Sequence, residues 1–361
     1  MIPYESLKPL NEPYTAEFKQ VFDAFLDKGY YILGNVLEQF EQDFAAYHSL
    51  RYAVGVSNGL DAITLSLKAS NLPEGSEVLV PSNTYIATIL AVLHAGLKPV
   101  MVEPDIRTYN IDPVKIEAAI TPRTKAMAVV HLYGRCCEMD EILKIKDKYN
   151  LILIEDCAQA HGATYKGKLA GTFGEFGAFS FYPTKNLGAL GDAGGIICSN
   201  EADREMLLHL RNYGSIRKYY NDVIGYNCRL DELQAGFLRV KLKYLDQINA
   251  HKNRLAQLYH QHLSDQYILP LSDDEHYHVY HIFNIRHPQR DKLQQYLAER
   301  GIGTVIHYPV PPHRQLALKD IFAGRSFPIS DEIHQTTLSL PCSPCHSEED
   351  IMQVVEALNN F

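Results

Sequence analysis

The sequence predicts an α/β protein with a larger domain built on a mainly parallel sheet and a smaller α+β domain at its C-terminal end. From residue 52 onward, short apolar runs alternate with segments whose apolar residues recur at helical spacing. Repeated strand–helix–strand order is typical of a parallel sheet with helices on both faces. A shorter α+β pattern follows a long helical segment at 230–262. We therefore place the domains at residues 1–245 and 246–361.

The individual elements are predicted from these periodicities. Strands are expected at 52–56, 77–80, 99–102, 126–131 and 151–155, with further candidates at 176–181 and 194–198. Helices are expected within 15–50, where glycines interrupt the pattern at 28–34, and at 60–71, 84–96, 138–149, 201–212 and 230–262. The C-terminal domain is expected to contain strands at 277–286 and 304–308 and helices at 289–300 and 347–359.

Composition excludes several classes of protein. No apolar run approaches the roughly 18 residues of a membrane span. A net charge of −9 without a basic patch argues against nucleic acid as the main partner. The first residues lack the basic and apolar regions of an export signal, so we expect a cytoplasmic protein. Seven cysteines in such a chain predict reduced thiols rather than a disulfide framework.

Two acidic residues follow an apolar run in the segment ILIEDCAQ. Glu155 and Asp156 stand where a buried strand is expected to end. Ligands bind at the carboxyl ends of parallel strands, so these acids are better candidates for a site than acids on the surface. The alternative is that both side chains only end the strand.

A lysine stands in the segment SFYPTKNLG, just after the apolar run 176–181. The residues around Lys185 are uncharged, and four glycines follow within ten positions. A partly desolvated lysine has a lowered pKa and is then able to attack a carbonyl carbon. The alternative is an ordinary solvated loop lysine. The GxxxxGK[ST] pattern of nucleotide triphosphate binding does not occur.

The segment VGVSNGLDA places a turn of small polar residues between a strand and a helix that begins near Leu60. Backbone N–H groups at such a helix start bind anions. The alternative is that Ser57 or Asn58 is only a helix N-cap.

These three segments together meet the requirements of pyridoxal 5′-phosphate (PLP). That cofactor needs a lysine for its Schiff base, a carboxylate beside its pyridine nitrogen and an anion site for its phosphate. The lysine, once the substrate has displaced it, is placed to carry the proton that the substrate loses. Tyr85, which follows the run 77–80, is the candidate for an aromatic side chain stacked on the ring.

The chain resembles the DegT/StrS-type sugar aminotransferases, which are PLP enzymes of fold type I (aspartate-aminotransferase-like). The likeness spans nearly the whole chain and is carried by YAVGVSNGLDAI, PSNTYIAT, IEDCAQAHGA, FGAFSFYPTKNLGALGDAGG and GYNCRLDELQAGFLRVKL. The resemblance implies that Lys185 bonds the cofactor and carries protons. It also implies that Asp156 binds the pyridine nitrogen and that Gln159 binds the ring oxygen.

The resemblance further assigns the rest of the cofactor site. Ser180 and the amides of Gly59 and Leu60 would hold the phosphate, while Tyr85 and Ala158 would cover the two ring faces. Many members of the family have Thr where this chain has Leu60, so one phosphate hydroxyl is expected to be missing.

Asn227 matches the asparagine with which such dimers reach the phosphate of the partner chain. The resemblance therefore implies a homodimer whose active sites are shared between chains. The SNGLDA form is similar to the subgroup that aminates carbon 3 of nucleotide-linked hexuloses. It implies a dTDP-3-keto-6-deoxyhexose as amino acceptor, L-glutamate as donor and a dTDP-3-amino-3,6-dideoxyhexose as product.

Candidate substrate-binding residues follow from the chemistry of a nucleotide diphosphate, which needs cations and hydroxyls around it. These candidates are Lys218, Tyr219, His307 and Tyr308, with Tyr182 near the sugar. His161 is expected either to touch the sugar or assist proton transfer, or to be a hydrogen-bonded structural histidine. His307 and Tyr308 have the alternative of an exposed strand end, and Tyr182 that of a packing residue.

No metal site is predicted. The CxxCH pattern at 342–346 is interpreted as a chance match to a haem motif, because the chain has no export signal. Of the histidines at 276, 278 and 281, only the first two share a face of the expected strand.

Three other functions remain open from the sequence. One is a nucleotide-sugar 4-aminotransferase of the same fold, and another is a non-catalytic regulatory protein. The third, a PLP-dependent dehydratase, is disfavoured because such relatives carry His where this chain has Lys185.

Overall fold

A seven-stranded sheet forms the centre of the larger domain. The computed structural model describes residues 1–215 and 217–361. The strands are β1 (Tyr52–Val56), β2 (Glu77–Pro81), β3 (Lys98–Val102), β4 (Thr124–Val130), β5 (Ile152–Asp156), β6 (Thr164–Tyr165), β7 (Lys168–Leu169), β8 (Phe176–Ser180), β9 (Gly194–Cys198), β10 (His276–Tyr277), β11 (Phe283–Arg286) and β12 (Thr337–Leu340). The order in the large sheet is β1-β9-β8-β5-β4-β2-β3.

Helices surround the sheets. They are α1 (Leu7–Asn11), α2 (Thr15–Lys28), α3 (Asn35–Tyr47), α4 (Gly59–Ala69), α5 (Ile86–His94), α6 (Pro113–Ala119), α7 (Met139–Tyr149), α8 (Glu201–Arg211), α9 (Glu232–Leu242), α10 (Leu245–His262), α11 (Arg290–Glu299), α12 (Pro328–Thr336) and α13 (Glu348–Asn359).

The mainly parallel character of the large sheet is confirmed. β9 pairs antiparallel with both β1 and β8, whereas β8, β5, β4, β2 and β3 are joined by parallel pairings. Since β1 opposes β9, β1 runs in the same direction as the five parallel strands. The carboxyl ends of six strands therefore meet at one edge of the sheet, where open α/β folds bind their ligands.

Both faces of this sheet are buried. Met127 and Leu153 belong to one apolar cluster, which also contains Phe40 and Phe44 of α3. Ala128 and Ile154, one residue further along each strand, belong to the cluster on the other face. Because successive side chains of a strand point to opposite faces, two buried faces require nearly continuous apolar runs. The sequence has such runs in β4 and β5.

A third apolar cluster belongs to the smaller α+β part of the chain. It joins residues of α10, α11 and α13 to the antiparallel pair β11–β12. Ile2 also packs in this cluster, and its amide donates a 2.8 Å hydrogen bond to the carbonyl of Gly301. The carbonyl of Ile2 in turn accepts a 2.8 Å bond from the amide of Gly303. The domain boundary at residues 245 and 246 stays a prediction.

The single helix expected over 230–262 is wrong, because the chain breaks between α9 and α10. Tyr244 stands at the break with φ −110° and ψ 0°. Its hydroxyl donates a 2.9 Å hydrogen bond to Glu17, and its ring centroid lies 5.2 Å from that of Tyr14. The break is therefore accompanied by tertiary contacts with distant residues. Neither Gly nor Pro occurs at the break, so the local sequence did not predict it.

Two strand predictions in the smaller domain are also corrected. The segment 277–286 divides into β10, which joins a small sheet with β6, and β11, which pairs with β12. The segment 304–308 forms no strand. Only Val305 makes a bridge, to Ser339, and the residues that follow it turn toward the carboxyl edge of the large sheet.

Within residues 1–215 and 217–361, no helix has both the length and the apolar character that crossing a membrane requires.

Candidate active site

A cavity of about 630 Å³ opens at the carboxyl edge of the large sheet. It lies beside the ends of β1, β2, β4, β5 and β8, and the loop after Val305 closes one side of it. Eleven of the residues predicted from the sequence line this cavity: Gly59, Leu60, Tyr85, Asp156, Ala158, Gln159, Ser180, Tyr182, Lys185, His307 and Tyr308.

Asp156 ends β5 and is buried. Its Oδ2 accepts a 2.8 Å hydrogen bond from the Thr88 hydroxyl, and its Oδ1 accepts a 3.1 Å bond from the amide of Ala158. Burial raises the pKa of Asp156, while those two donors and then the charges of Lys185 and His131 oppose the rise. The carboxylate is thus held in one orientation by donors that favour its charged form.

Lys185 lies in the turn between β8 and β9, and its amide donates a 2.8 Å hydrogen bond to the carbonyl of Tyr182. Burial lowers the pKa of Lys185 to about 8, with Asp156 and Glu5 acting in the opposite direction. A substantial fraction of the amine is therefore neutral near physiological pH, which a nucleophile toward a carbonyl carbon requires. The Nζ atom lies 3.4 Å from Nε2 of His281.

The start of α4 and the end of β8 form a close-packed corner of the cavity. A Cβ atom on Gly59 would lie 2.6 Å from Cβ of Ser180, so only glycine permits this approach. The side chain of Asn58 accepts a 2.8 Å hydrogen bond from the amide of Asp61, and Asn58 is thus also a helix cap. The first-turn amides of Gly59 and Leu60 have no intrahelical acceptor, and together with the Ser180 hydroxyl they suit an anion.

Aromatic side chains form another part of the cavity wall. The rings of Tyr85 and Tyr308 lie 5.1 Å apart between centroids. The Gln159 side chain donates a 2.9 Å hydrogen bond to the Tyr308 hydroxyl and accepts a 2.6 Å bond from the amide of Tyr133. Gln159 is therefore fixed at both ends of its amide group. His307 is held separately, since its Nδ1 lies 2.8 Å from the Ser339 hydroxyl.

Four predicted site residues do not line the cavity. His161 is buried beside the rings of Phe179 and Phe181, and burial lowers its pKa to about 3. Lys218, Tyr219 and Asn227 are exposed on the surface of the single chain.

Residues that the sequence analysis missed complete the site. Thr88 binds Asp156 from the first turn of α5, and His281 contacts Lys185 from the segment between β10 and β11. Nδ1 of His334 lies 2.7 Å from the carbonyl oxygen of Tyr308. Thr88 is the last residue of the segment PSNTYIAT, but nothing in that segment indicates that its hydroxyl binds Asp156. His281 stands in the histidine-rich segment 276–281, whose spacing was interpreted only in terms of metal binding.

Glu155, the other acid of ILIEDCAQ, points away from the cavity. It accepts hydrogen bonds from the amides of Gly171, Phe173 and Gly174, and lies 2.8 Å from Nε2 of His131. Although His131, Glu155 and Cys157 lie close enough to hold a metal ion, both Glu155 oxygens already accept protein donors. This acid therefore anchors the loop before β8.

Comparisons with known proteins agree with this geometry. The sequence pattern of the DegT/DnrJ/EryC1/StrS aminotransferase family matches residues 13–359. The chain is 52% identical over 363 residues to the dTDP-3-amino-3,6-dideoxy-alpha-D-galactopyranose transaminase of Aneurinibacillus thermoaerophilus, covering 100% of this chain and 99% of that relative.

Solved structures are similar over the same length. S. venezuelae DesV has a TM-score of 0.97 at 41% identity, with 99% of this chain and 98% of that chain covered. NtdA from Bacillus subtilis, solved with the bound cofactor PMP, has a TM-score of 0.93 at 31% identity, with 99% of this chain and 84% of that chain covered.

Proposed function

The chain belongs to the DegT/DnrJ/EryC1/StrS aminotransferase family, and we propose that it transfers an amino group from L-glutamate to a nucleotide-linked keto-6-deoxyhexose. The proposed acceptor is a dTDP-3-keto-6-deoxyhexose and the product a dTDP-3-amino-3,6-dideoxyhexose. The observation that carries this proposal is that Lys185, Asp156 and the corner of Gly59 and Ser180 line one cavity. The substrate assignment is supported by the transaminase activity for which the 52% identical relative is named.

The residues present fit PLP, the cofactor of this class of aminotransferase. The close approach of Gly59 to Ser180 makes an anion corner of the right chemistry for its phosphate. We assign Lys185 as its covalent anchor, Asp156 to its ring nitrogen, Gln159 to its ring oxygen, and Tyr85 and Ala158 to its two ring faces. When bound, PLP supplies an electron-withdrawing ring that stabilises negative charge on the substrate carbon.

The protein groups then divide the remaining tasks. Thr88 and the Ala158 amide favour the charged form of Asp156, the carboxylate that would bind the ring nitrogen. Lys185 is able to take up and release a proton at Nζ near neutral pH, since burial lowers its pKa to about 8. Tyr182, His307 and Tyr308 line the same cavity and are the proposed contacts to the sugar nucleotide.

The remaining assignments extend beyond a single chain. We propose a cytoplasmic homodimer in which Asn227 reaches the phosphate site of the partner chain, and in which Lys218 and Tyr219 meet the nucleotide. The exposure of these three side chains in the single chain supports that arrangement.

We propose that His161 acts through its packing on the strand that ends at Ser180, and that the domains divide at residues 245 and 246.

The test is turnover of the purified protein with PLP, L-glutamate and a dTDP-3-keto-6-deoxyhexose. We expect a product whose new C–N bond lies at carbon 3 by NMR. Lys185→Ala is expected to keep the fold, judged by circular dichroism, and to lose at least about 10³-fold in rate because the proton carrier is gone.

Three other results of this experiment would each contradict part of the proposal. Amination at carbon 4 indicates the 4-aminotransferase. A visible cofactor band without product formation indicates a regulatory protein. Turnover at the wild-type rate in Lys185→Ala contradicts the mechanism itself.

A further inference from the structure

His281 lies against the amine on which the proposed reaction depends. Its Nε2 is 3.4 Å from Nζ of Lys185, and its ring lines the cavity. Its Nδ1 is shielded from solvent and has no partner within the part of the chain that the structure describes. A buried polar atom without a partner destabilises the folded protein. The presence of such a histidine beside a reactive amine therefore points to a role at that amine.

We propose that His281 is a positioning residue, which accepts a hydrogen bond from Nζ of Lys185 and holds that amine whenever it is not bonded to the cofactor. The inference rests on the proposed function, because it concerns the same lysine. His281 is not assigned contact with the substrate, and it acts through Lys185.

The charge state of the ring suits an acceptor. The titratable and charged groups around it are Lys185, Lys252, His307 and His161. Burial, and then the positive charges of the two lysines, lower the pKa of His281 well below its ordinary value. A neutral imidazole has one N–H and one lone pair, so an Nε2 that accepts from Lys185 leaves the hydrogen on Nδ1.

The backbone fixes His281 relative to Lys185. Asn186, which follows the lysine, donates a 3.0 Å hydrogen bond from Nδ2 to the carbonyl of Val279. Nζ of Lys252 donates a 3.1 Å bond to the carbonyl of His281 itself. A Cβ on Gly134 would lie 2.9 Å from the backbone nitrogen of His281, so this glycine permits the segment that contains His281 to pack against the large domain.

The consequence concerns the protonation of Lys185. A hydrogen bond from an ammonium group to a neutral acceptor favours the charged form. His281 therefore keeps the pKa of Lys185 higher than burial alone would leave it. Removing the acceptor is expected to lower the pKa of Lys185 below its value of about 8.

The experiment measures this pKa without any turnover. The full-length protein is freed of PLP, labelled briefly with acetic anhydride across a range of pH, and the Lys185 peptide is quantified by mass spectrometry. In His281→Phe and His281→Leu we expect the midpoint of Lys185 labelling to fall by about half a pH unit or more. His281→Gln, whose side-chain oxygen is again an acceptor, is expected to return the midpoint toward wild type.

His278→Phe is the matched control. His278 is buried three residues earlier, with its ring stacked 3.9 Å from that of Tyr280, and it does not line the cavity. The control is expected to leave the Lys185 midpoint unchanged. Only variants with a wild-type circular dichroism spectrum are compared. Two acceptor-free variants, His281→Phe and His281→Leu, are made so that the test can still be carried out if one of them does not fold.

Two results would overturn the proposal. One is an unchanged midpoint in a folded acceptor-free variant, and the other is an equal fall in His281→Gln. Because labelling requires neither glutamate nor sugar nucleotide, its outcome is independent of the turnover test for the proposed function. In the PLP-loaded enzyme, His281→Phe is expected to lower kcat about tenfold with little change in KM.

Discussion

The hydroxyl of Thr88 donates a 2.8 Å hydrogen bond to Oδ2 of Asp156. Thr88 is itself 2.9 Å from the hydroxyl of Thr84, so a chain of two threonines joins the loop after β2 to the end of β5. The orientation of the carboxylate therefore depends on helix α5 as well as on its own strand.

Replacing Thr88 by Val keeps the shape of the side chain and removes this donor. We expect PLP affinity to fall about tenfold, because a hydrogen bond to a charged group is lost. The pKa of Asp156, already raised by burial, is expected to rise further. Asp156 then loses its charge at a higher pH on acidification, so PLP retention fails earlier.

Absorbance titration of PLP between pH 5 and 8 measures both effects. Thr336→Val removes a threonine hydroxyl that donates an exposed 2.7 Å hydrogen bond to the carbonyl of Glu332 and does not line the cavity, and it serves as control. An unchanged pH dependence in Thr88→Val would show that Thr88 does not support the charge of Asp156.

Leu60→Thr supplies the hydroxyl that many relatives have at this position. Leu60 lines the cavity in the first turn of α4, so the new hydroxyl would face the phosphate site. We expect PLP to bind about fivefold more tightly through one added hydrogen bond. Equilibrium dialysis measures the affinity, and Leu60→Val provides a branched side chain without the hydroxyl. Equal affinities for the Thr and Val variants would place the phosphate elsewhere.

Mixing Lys185→Ala chains with Asn227→Ala chains tests whether sites are shared between chains. In a dimer of one Lys185→Ala chain and one Asn227→Ala chain, one of the two sites retains both residues. We expect Asn227→Ala alone to weaken PLP retention, and the mixture to recover about a quarter of wild-type activity if chains exchange at random. Turnover after co-refolding of the two variants measures the recovery. No gain above the separate variants argues against shared sites.

Acid is expected to destabilise the fold between about pH 6.5 and pH 4. Burial lowers the pKa of His48 to about 4, and the same cause lowers those of His307 and His334 to about 4. Below about pH 6.5, the pKa of a histidine in the unfolded chain, the unfolded chain binds protons that the folded chain does not. The free energy of unfolding therefore decreases as the pH is lowered.

Urea unfolding at several pH values checks this slope. His48→Phe is expected to make it shallower, since the ring packs between Phe44 and Phe179 and the replacement carries no titratable group. His94, which is exposed, gives the control His94→Gln with an unchanged slope. A wild-type slope in His48→Phe would remove His48 from this account.

The sequence predicted the part of the site that lies within short segments. Lys185, Asp156 and Ser180 each stand just beyond or at the end of an apolar run, and parallel topology alone brings such ends together. Thr88 and His281 escaped because their partners lie 68 and 96 positions away in the chain. Their roles follow from tertiary packing, which periodicity does not encode.

The errors in the fold have the same origin. The break at Tyr244 depends on contacts with Glu17 and Tyr14 rather than on a helix-breaking residue. The segment 304–308 has the composition of a strand, but only Val305 finds a bridging partner. His307 and Tyr308 are thereby free to face the cavity.

The pairing of Ile2 with Gly301 and Gly303 links the order of synthesis to the order of folding. A ribosome makes the chain from its amino end, so Ile2 emerges long before the glycines that it binds. Its partners are made only after all the strands of the large sheet, and the smaller apolar core cannot form until Ile2 and residues such as Ile302 are both present. Assembly of this part of the molecule is thus delayed until the ribosome has passed Gly303.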